Sequence, residues 1–349
     1  MTEQDLTEIV DRLLAFDLRA AFQDKRVICT GARGFLGSAF TRVFSALGAE
    51  VIAIDRYALA YELGAPQPPR LPGVENVDHD VTKPFPIYGR VDYILSLAAI
   101  ASPVHYAKRP LDCFDVIVNG TRNMLELAGA KGATMLLSST SELYGDSGWS
   151  GSAMREDALG PLDPWDIRGR AYDVPRLAAE ALASIFGSAG VEVRTVRYFN
   201  VFGPPLSAND HRVMSRFGVA AARGKPIVVH GCGPWPTRSL CYVTDAIVGT
   251  LLVLCSKERR PVNVGNPEEI SMFDLANKVA RVVADLGHPS PPVISEAPTG
   301  PYANQPRRRR PDITRLQGLG FEPRVTLDDG VRRFISWAME AYQCDKKET

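Results

Sequence analysis

Apolar residues follow two rhythms along this chain. Residues 5–22 carry Leu6, Ile9, Val10, Leu13 and Leu14 at helical spacing, with acids early and Arg19 late, which predicts one amphipathic helix. Its polar face is mainly acidic and would be repelled by anionic lipid, so packing on the domain or across a dimer interface is expected. From Arg26 onward, short runs that are apolar throughout take over. Arg26–Thr30, Val51–Asp55, Asn76–His79, Tyr93–Ala98, Met135–Ser138, Val193–Arg197, Ile227–Val229 and Val262–Val264 read as strands, and helical patterns separate most of them. Apolar strands alternating with helices predict an α/β fold, a doubly wound parallel sheet covered on both faces.

Between about 201 and 240 the periodicity weakens and Gly, Pro and Arg accumulate, while proline clusters punctuate residues 66–72 and 288–311. The expected organisation is an N-terminal helix over 1–24 and a main domain over 25–200 that residues 239–265 complete. Residues 201–238 and 266–343 form a smaller, discontinuous lobe closing over the C-terminal ends of the strands. The 349 residues suit that arrangement. Forty basic residues balance forty acidic ones, which argues against a nucleic-acid binder working through a global basic field. No apolar run approaches the ~18 residues of a membrane span, and the acidic, polar N-terminus does not read as a signal peptide. Six cysteines without a Cys-x-x-Cys pair read as thiols of a cytoplasmic protein, with no disulfide or metal framework expected.

Candidate chemistry begins after the first strand. Gly31, Gly34 and Gly37 form a G-x-x-G-x-x-G pattern, with Phe35 and Leu36 inside it, between a strand and a helix. Glycines there let the backbone turn tightly and approach a pyrophosphate, and a helix N-terminus offers unpaired N–H groups. Asp55 ends the second strand, where a carboxylate can accept hydrogen bonds from ribose hydroxyls and would repel a 2′-phosphate. NAD is therefore favoured over NADP, a preference that the adjacent Arg56 moderates. Asp80 and Val81 follow the third strand and could meet the adenine. Leu97, Ala98 and Ala99 follow the fourth, where small residues let a cofactor pass; ordinary strand-end packing explains either group as well. These features make the sheet Rossmann-type.

A second cluster follows the fifth strand. Thr140, Ser141 and Glu142 put two hydroxyls and a carboxylate at its end, and Tyr172 and Arg176 lie four apart on one predicted helix. A phenol of ordinary pKa, about 10, is a poor base at neutral pH, but a cation one turn away favours the phenolate. A surface Tyr–Arg pair is the plain alternative, and a solvated loop is the plain alternative for the Arg307–Arg310 run.

Gly31–Gly37, Ser138–Gly145, Tyr172 and the run Arg197-Tyr-Phe-Asn-Val-Phe-Gly-Pro204 resemble the extended short-chain dehydrogenase/reductases that act on nucleotide sugars. Ala101–Tyr106, Asn119–Leu125, Thr237–Val243, Asn263–Glu269 and Arg308–Ile313 look like the UDP-glucuronate decarboxylases (UDP-xylose synthases) among them. The resemblance covers about residues 25–335. It implies a tightly bound NAD, Tyr172 as proton acceptor with Arg176, Thr140 at the sugar 4-hydroxyl, and Glu142 beside C5 and C6. Thr-Ser-Glu at 140–142, where 4,6-dehydratases usually read Thr-Asp-Glu, argues against dehydration.

It also implies diphosphate contacts from Asn200, Arg238 and Arg309, and a homodimer through helices around 105–128 and 170–187. Arg212 and Lys225 flank this region as further diphosphate contacts or as solvating charges, and His230 is a further substrate-side candidate that, like the segment after it, departs from the family pattern. Two departures stand out. Arg176 replaces the family lysine, a swap of a compact charge for a planar fork, and the segment 231–237 differs from the family pattern. The implied activity is decarboxylation of UDP-glucuronate to UDP-xylose through a 4-keto intermediate with recycling of NADH. The alternatives are a nucleotide-sugar 4-epimerase or 4,6-dehydratase, or a catalytically impaired NAD-binding homologue.

Overall fold

The computed structural model describes residues 1–65, 70–145, 152–231, 236–299 and 306–342. Most of the 66–72 proline cluster and of the 231–237 segment lies outside the described residues.

Seven parallel strands form the central sheet in the order β11-β6-β5-β4-β1-β2-β3. They are β1 (Arg26–Thr30), β2 (Glu50–Asp55), β3 (Val74–Asp78), β4 (Tyr93–Ser96), β5 (Thr134–Thr140), β6 (Val193–Tyr198) and β11 (Val262–Val264). The order reverses between β1 and β4, which opens a crevice at their C-terminal ends. Alternation along each strand serves two cores. Val27 and Cys29 enter one and Ile28 the other; Leu136 enters the first, Met135 and Leu137 the second. Both faces are thus buried, as parallel strands require.

The first face carries α3 (Phe35–Ala46), α9 (Val243–Cys255) and α1 (Glu3–Ala15). Every residue of α9 from Val243 to Leu254 is buried, consistent with a helix apolar on all sides. The second face carries α5 (Pro103–Lys108), α6 (Pro110–Lys131) and α7 (Val174–Ser188). Residues 201–242 and 266–342 add β7 (Val201–Phe202), α8 (Val213–Ala222), β8 (Ile227–His230), β9 (Thr237–Ser239), β10 (Cys241–Tyr242), β12 (Glu269–Ser271), α10 (Met272–Asp285), β13 (Val293–Glu296), α11 (Thr314–Gln317) and α12 (Leu327–Ala341). β8 pairs with β13, β9 with β12 and β7 with β10, each outside the main sheet.

Three expectations change in detail. The single helix over 5–22 is two: α1 ends at Ala15, Asp17 adopts a left-handed φ of 55°, and α2 (Arg19–Phe22) follows. Helix α1 packs on α9 and α3 of its own chain, where buried Arg12 reaches Asp245 at 2.6 Å. Strand β4 stops at Ser96, two residues short of the expected end, because the Leu97 and Ala98 amides donate to the Thr30 hydroxyl (3.1 and 3.2 Å). Helix α4 (Tyr57–Glu62), directly after β2, was not expected.

Candidate active site

The crevice holds a cleft of about 530 Å³ above the β1–α3 loop. Gly31 has φ +66°, and a Cβ there would stand 2.9 Å from the Ala98 backbone; one on Gly37 would stand 2.0 Å from the Gly31 carbonyl. Gly34 caps α3 without a side-chain hydrogen bond, so the amide end of the helix faces the cleft. This cradle, closed to any side chain, fits a dinucleotide pyrophosphate.

At the end of β2 the Asp55 carboxylate accepts from the Arg33 and Arg56 amides, both at 2.8 Å, while burial pushes its pKa up. Arg56 is half-exposed and lies 3.7 Å from Asp80, which accepts from the Thr82 amide and hydroxyl. Val81, Leu97, Ala98 and Ala99 also line the cleft, as do Phe35 and Leu36. The wall near Asp55 includes residues that sequence reasoning missed. The Arg33 guanidinium sits 4.0 Å from the Tyr61 ring centre and 4.7 Å from that of Tyr57. An arginine between two loop glycines was the available signal.

The second cluster assembles at the end of β5. Thr140 caps a 3-10 turn over Ser141–Tyr144 by accepting from the Glu142 amide at 3.2 Å. Tyr172 lies in a π-helical turn, Gly169–Asp173, that runs into α7. Pro175 stands in the first turn of α7, where a missing amide costs least. The Tyr172 ring stacks on Tyr106 at 5.6 Å, and the Arg176 guanidinium lies 5.1 Å from its centre. Arg176 is buried and donates through Nη1 to the Ser138 carbonyl and, at 3.2 Å, to the Ser138 hydroxyl. A single terminal nitrogen thus ties the charge to the end of β5.

Below Tyr172 a smaller cavity of about 170 Å³ opens toward the lobe. The two spaces meet at Ala101, Glu142, Tyr172, Asn200, Val201 and Arg212. Here the placement of Arg309 differs from the expected diphosphate contact. Both its terminal nitrogens grip Glu142, Nη2 at 2.8 Å from Oε2 and Nη1 on Oε1. The cause is the course of residues 306–312. Pro311 bridges to Met154, and the Ser239 amide donates to the Arg309 carbonyl, which aims the side chain at β5.

Arg238, also expected on a diphosphate, lines the smaller cavity but donates to the Thr237 and Pro306 carbonyls. Arg212 lines both spaces and forms a fork with Asp210 (2.5 and 2.8 Å). Asn200, at φ +38°, donates to the Ser239 carbonyl, and His230 stands on the far wall, its pKa lowered by burial and by Arg216. Lys225 does not join them: it is exposed in the turn between α8 and β8, away from both cavities.

Sequence reasoning also missed Arg168 and Asp173. Arg168 Nε lies 3.1 Å from Asp173 Oδ2 and 3.8 Å from Glu142 Oε2. Burial alone would raise the Glu142 pKa, but Arg309 and Arg168 outweigh it and hold the carboxyl below its ordinary range. Asp173 is displaced the other way, upward, by burial and by Glu142. Their signal was spacing: Arg168 and Tyr172 are one helical turn apart, and Asp173 is the next residue.

The profile of the NAD dependent epimerase/dehydratase family matches residues 27–265. The chain belongs to this family. Its cofactor is NAD, and the cradle above fits it. The chain is 36% identical over 315 residues to UDP-glucuronic acid decarboxylase 1 of Xenopus tropicalis, covering 90% of this chain and 72% of that protein. It is 37% identical over 313 residues to UDP-glucuronic acid decarboxylase 1 of Arabidopsis thaliana, covering 89% and 69%. The fold is similar to epimerase Mth375 of Methanothermobacter thermautotrophicus (TM-score 0.80, 24% identity, 96% and 98% covered). It is also similar to UDP-glucuronic acid 4-epimerase of Bacillus cereus, solved with UDP-glucuronic acid and NAD (TM-score 0.73, 22% identity, 91% and 100% covered). The two curated relatives are, by name, enzymes of a sugar nucleotide, and the two solved structures share the fold. No helix among the described residues is long and apolar enough to cross a membrane.

Proposed function

We propose that this protein decarboxylates UDP-glucuronate to UDP-xylose. The observation that carries the reading is Ser141, buried after β5 and lining the cleft with Glu142 and Tyr172. A serine hydroxyl there cannot supply the acid that a 4,6-dehydratase takes from the aspartate of its Thr-Asp-Glu, and Glu142, held as carboxylate by two guanidinium groups, does not replace it. Decarboxylation needs no such acid.

The Gly31–Gly37 loop and Asp55 would hold NAD, which when bound would supply a hydride acceptor for the sugar C4 and a hydride donor for the 4-ketone of the decarboxylated sugar. Tyr172, with Thr140 holding the 4-hydroxyl, accepts its proton, and buried Arg176 keeps positive charge beside the phenol. With C4 a ketone, the C6 carboxylate is that of a β-keto acid; its loss as carbon dioxide leaves electrons delocalised onto O4, and C5 takes a proton, from solvent or through the Ser141 hydroxyl, to restore the 4-ketone before C4 is reduced. The hydroxyls of Tyr172 and Thr140 face the developing oxyanion. Ser141 and Glu142 flank C5, and Asn200, Arg212, Arg238 and His230 line the path of the nucleotide.

The relatives named for this activity support the reading. So does a cavity lined by Arg168, Arg212, Arg238 and Arg309, suited to a ligand with a diphosphate and a carboxylate. We also place a homodimer along α6 and α7, which expose Leu111, Phe114 and Ile185, and a cytoplasmic location, which fits the free thiols of Cys29, Cys113, Cys241 and Cys255. The test is a panel of UDP-, TDP-, GDP- and CDP-sugars read by product mass. A pentose nucleotide from UDP-glucuronate is expected; a product of unchanged mass would instead indicate an epimerase.

A further inference from the structure

The corner behind Tyr172 contains an unusual carboxyl. Asp173 is 2% exposed, its Oδ2 accepts from Arg168 at 3.1 Å, and its Oδ1 is buried with no hydrogen-bond partner. An ionised carboxylate with one oxygen unserved in a buried site is costly, whereas the neutral acid is far less so. The groups facing it are few. Arg168 comes from its own segment, Glu142 from the turn after β5, Arg309 from residues 306–312, and Tyr106 from α5.

The two arginines are placed differently. Arg309 is 3% exposed and bidentate on Glu142. The Arg168 side chain is 26% exposed, lines the smaller cavity, and lies between Glu142 and Asp173. A third carboxylate entering this corner would meet Arg168 first, and would weaken the hold of Arg168 on Asp173 while adding negative charge beside it.

Resting on the reading above, we infer that Arg168 recognises the C6 carboxylate of the sugar, and that Asp173 takes up a proton when it does. The upward displacement of the Asp173 pKa places the group where a modest added negative charge shifts its protonation near neutral pH. A sugar without the carboxylate leaves Asp173 as it was. A pentose product, lacking that carboxylate, releases both the arginine and the proton. Arg168 is then a specificity-determining residue and Asp173 its proton-linked positioning partner.

The experiment uses NAD-loaded protein carrying Tyr172→Phe, which blocks turnover. UDP-glucuronate and UDP-glucose are titrated by calorimetry near pH 7.5 in buffers of different ionisation enthalpy. UDP-glucuronate is expected to take up a sizeable fraction of a proton, roughly half, and UDP-glucose none that is measurable. Adding Arg168→Gln weakens UDP-glucuronate by about tenfold or more and UDP-glucose by less than about twofold, and Arg168→Lys restores part of the loss. Adding Asp173→Asn abolishes the proton uptake and keeps the preference for UDP-glucuronate. NAD content and melting temperature of each variant report folding.

Equal weakening of both ligands by Arg168→Gln, or proton uptake that survives Asp173→Asn, overturns the inference. If either result comes while the wild-type enzyme releases carbon dioxide from UDP-glucuronate, only the inference falls. If the wild type neither binds nor converts UDP-glucuronate, the proposed function falls and the inference with it.

Discussion

Replacing Arg309 by glutamine tests whether the Glu142–Arg309 pair is a buried, coupled unit or a surface contact. An exposed ion pair contributes about 0–1 kcal/mol. Removing one member of a well-buried pair costs about 3–5 kcal/mol, because the other charge is stranded. Arg309 is 3% exposed and Glu142 24%, with Arg168 still 3.8 Å from Glu142 after the change. Arg309→Gln should therefore fall below the buried range, at about 2 kcal/mol, because Glu142 keeps a cation and some water. Glu142→Gln strands the more deeply buried partner and should cost about 3 kcal/mol. The double variant should cost clearly less than the two together, with a coupling of about 2 kcal/mol. Denaturant unfolding of the four proteins at pH 7 provides the cycle. A coupling under about 0.5 kcal/mol would refute the view that these groups act as one unit.

Three further outcomes are expected. Gly37→Ala should abolish NAD retention, measured as nucleotide released on denaturation, because its Cβ would stand 2.0 Å from the Gly31 carbonyl. Arg176→Met should lower turnover of UDP-glucuronate at least about tenfold relative to Arg176→Lys, because the lysine keeps a charge beside Tyr172; equal rates would show that the charge is not used. The raised Asp173 pKa means that the folded state holds this proton more tightly than the unfolded chain. Its contribution to stability is full below the ordinary aspartate range and is lost as pH rises toward neutrality. Relative to wild type, Asp173→Asn should therefore gain in melting temperature between pH 5 and pH 8; a constant difference would contradict that displacement.

Local chemistry made much of the fold legible. Strands such as Val27–Thr30 and Ile52–Ile54 are apolar on both faces, and the three glycines sit where a strand must turn into a helix around a phosphate. Tyr172 and Arg176 were visible at helical spacing. Harder to read was anything set by contacts distant in sequence. Arg309 lies 167 residues from Glu142, and the bridge from Pro311 to Met154, with the Ser239 amide on the Arg309 carbonyl, brings it there. Lys225 looked like a phosphate ligand by type, but the α8–β8 turn carries it to the surface. The break at Asp17 depends on one residue adopting a left-handed conformation, for which the apolar periodicity gives no sign. Arg33 was hidden within the glycine loop, since its role depends on two tyrosines of a helix that was itself unexpected.

The central claim is that the carbon lost is C6 and that the cofactor ends as it began. UDP-glucuronate labelled with carbon-13 at C6, incubated with NAD-loaded enzyme, tests it most directly. The account predicts labelled carbon dioxide and unlabelled UDP-pentose in equal amounts, with no net NADH. Retention of the label in a nucleotide sugar, at unchanged mass or at a mass lowered by water, would contradict it.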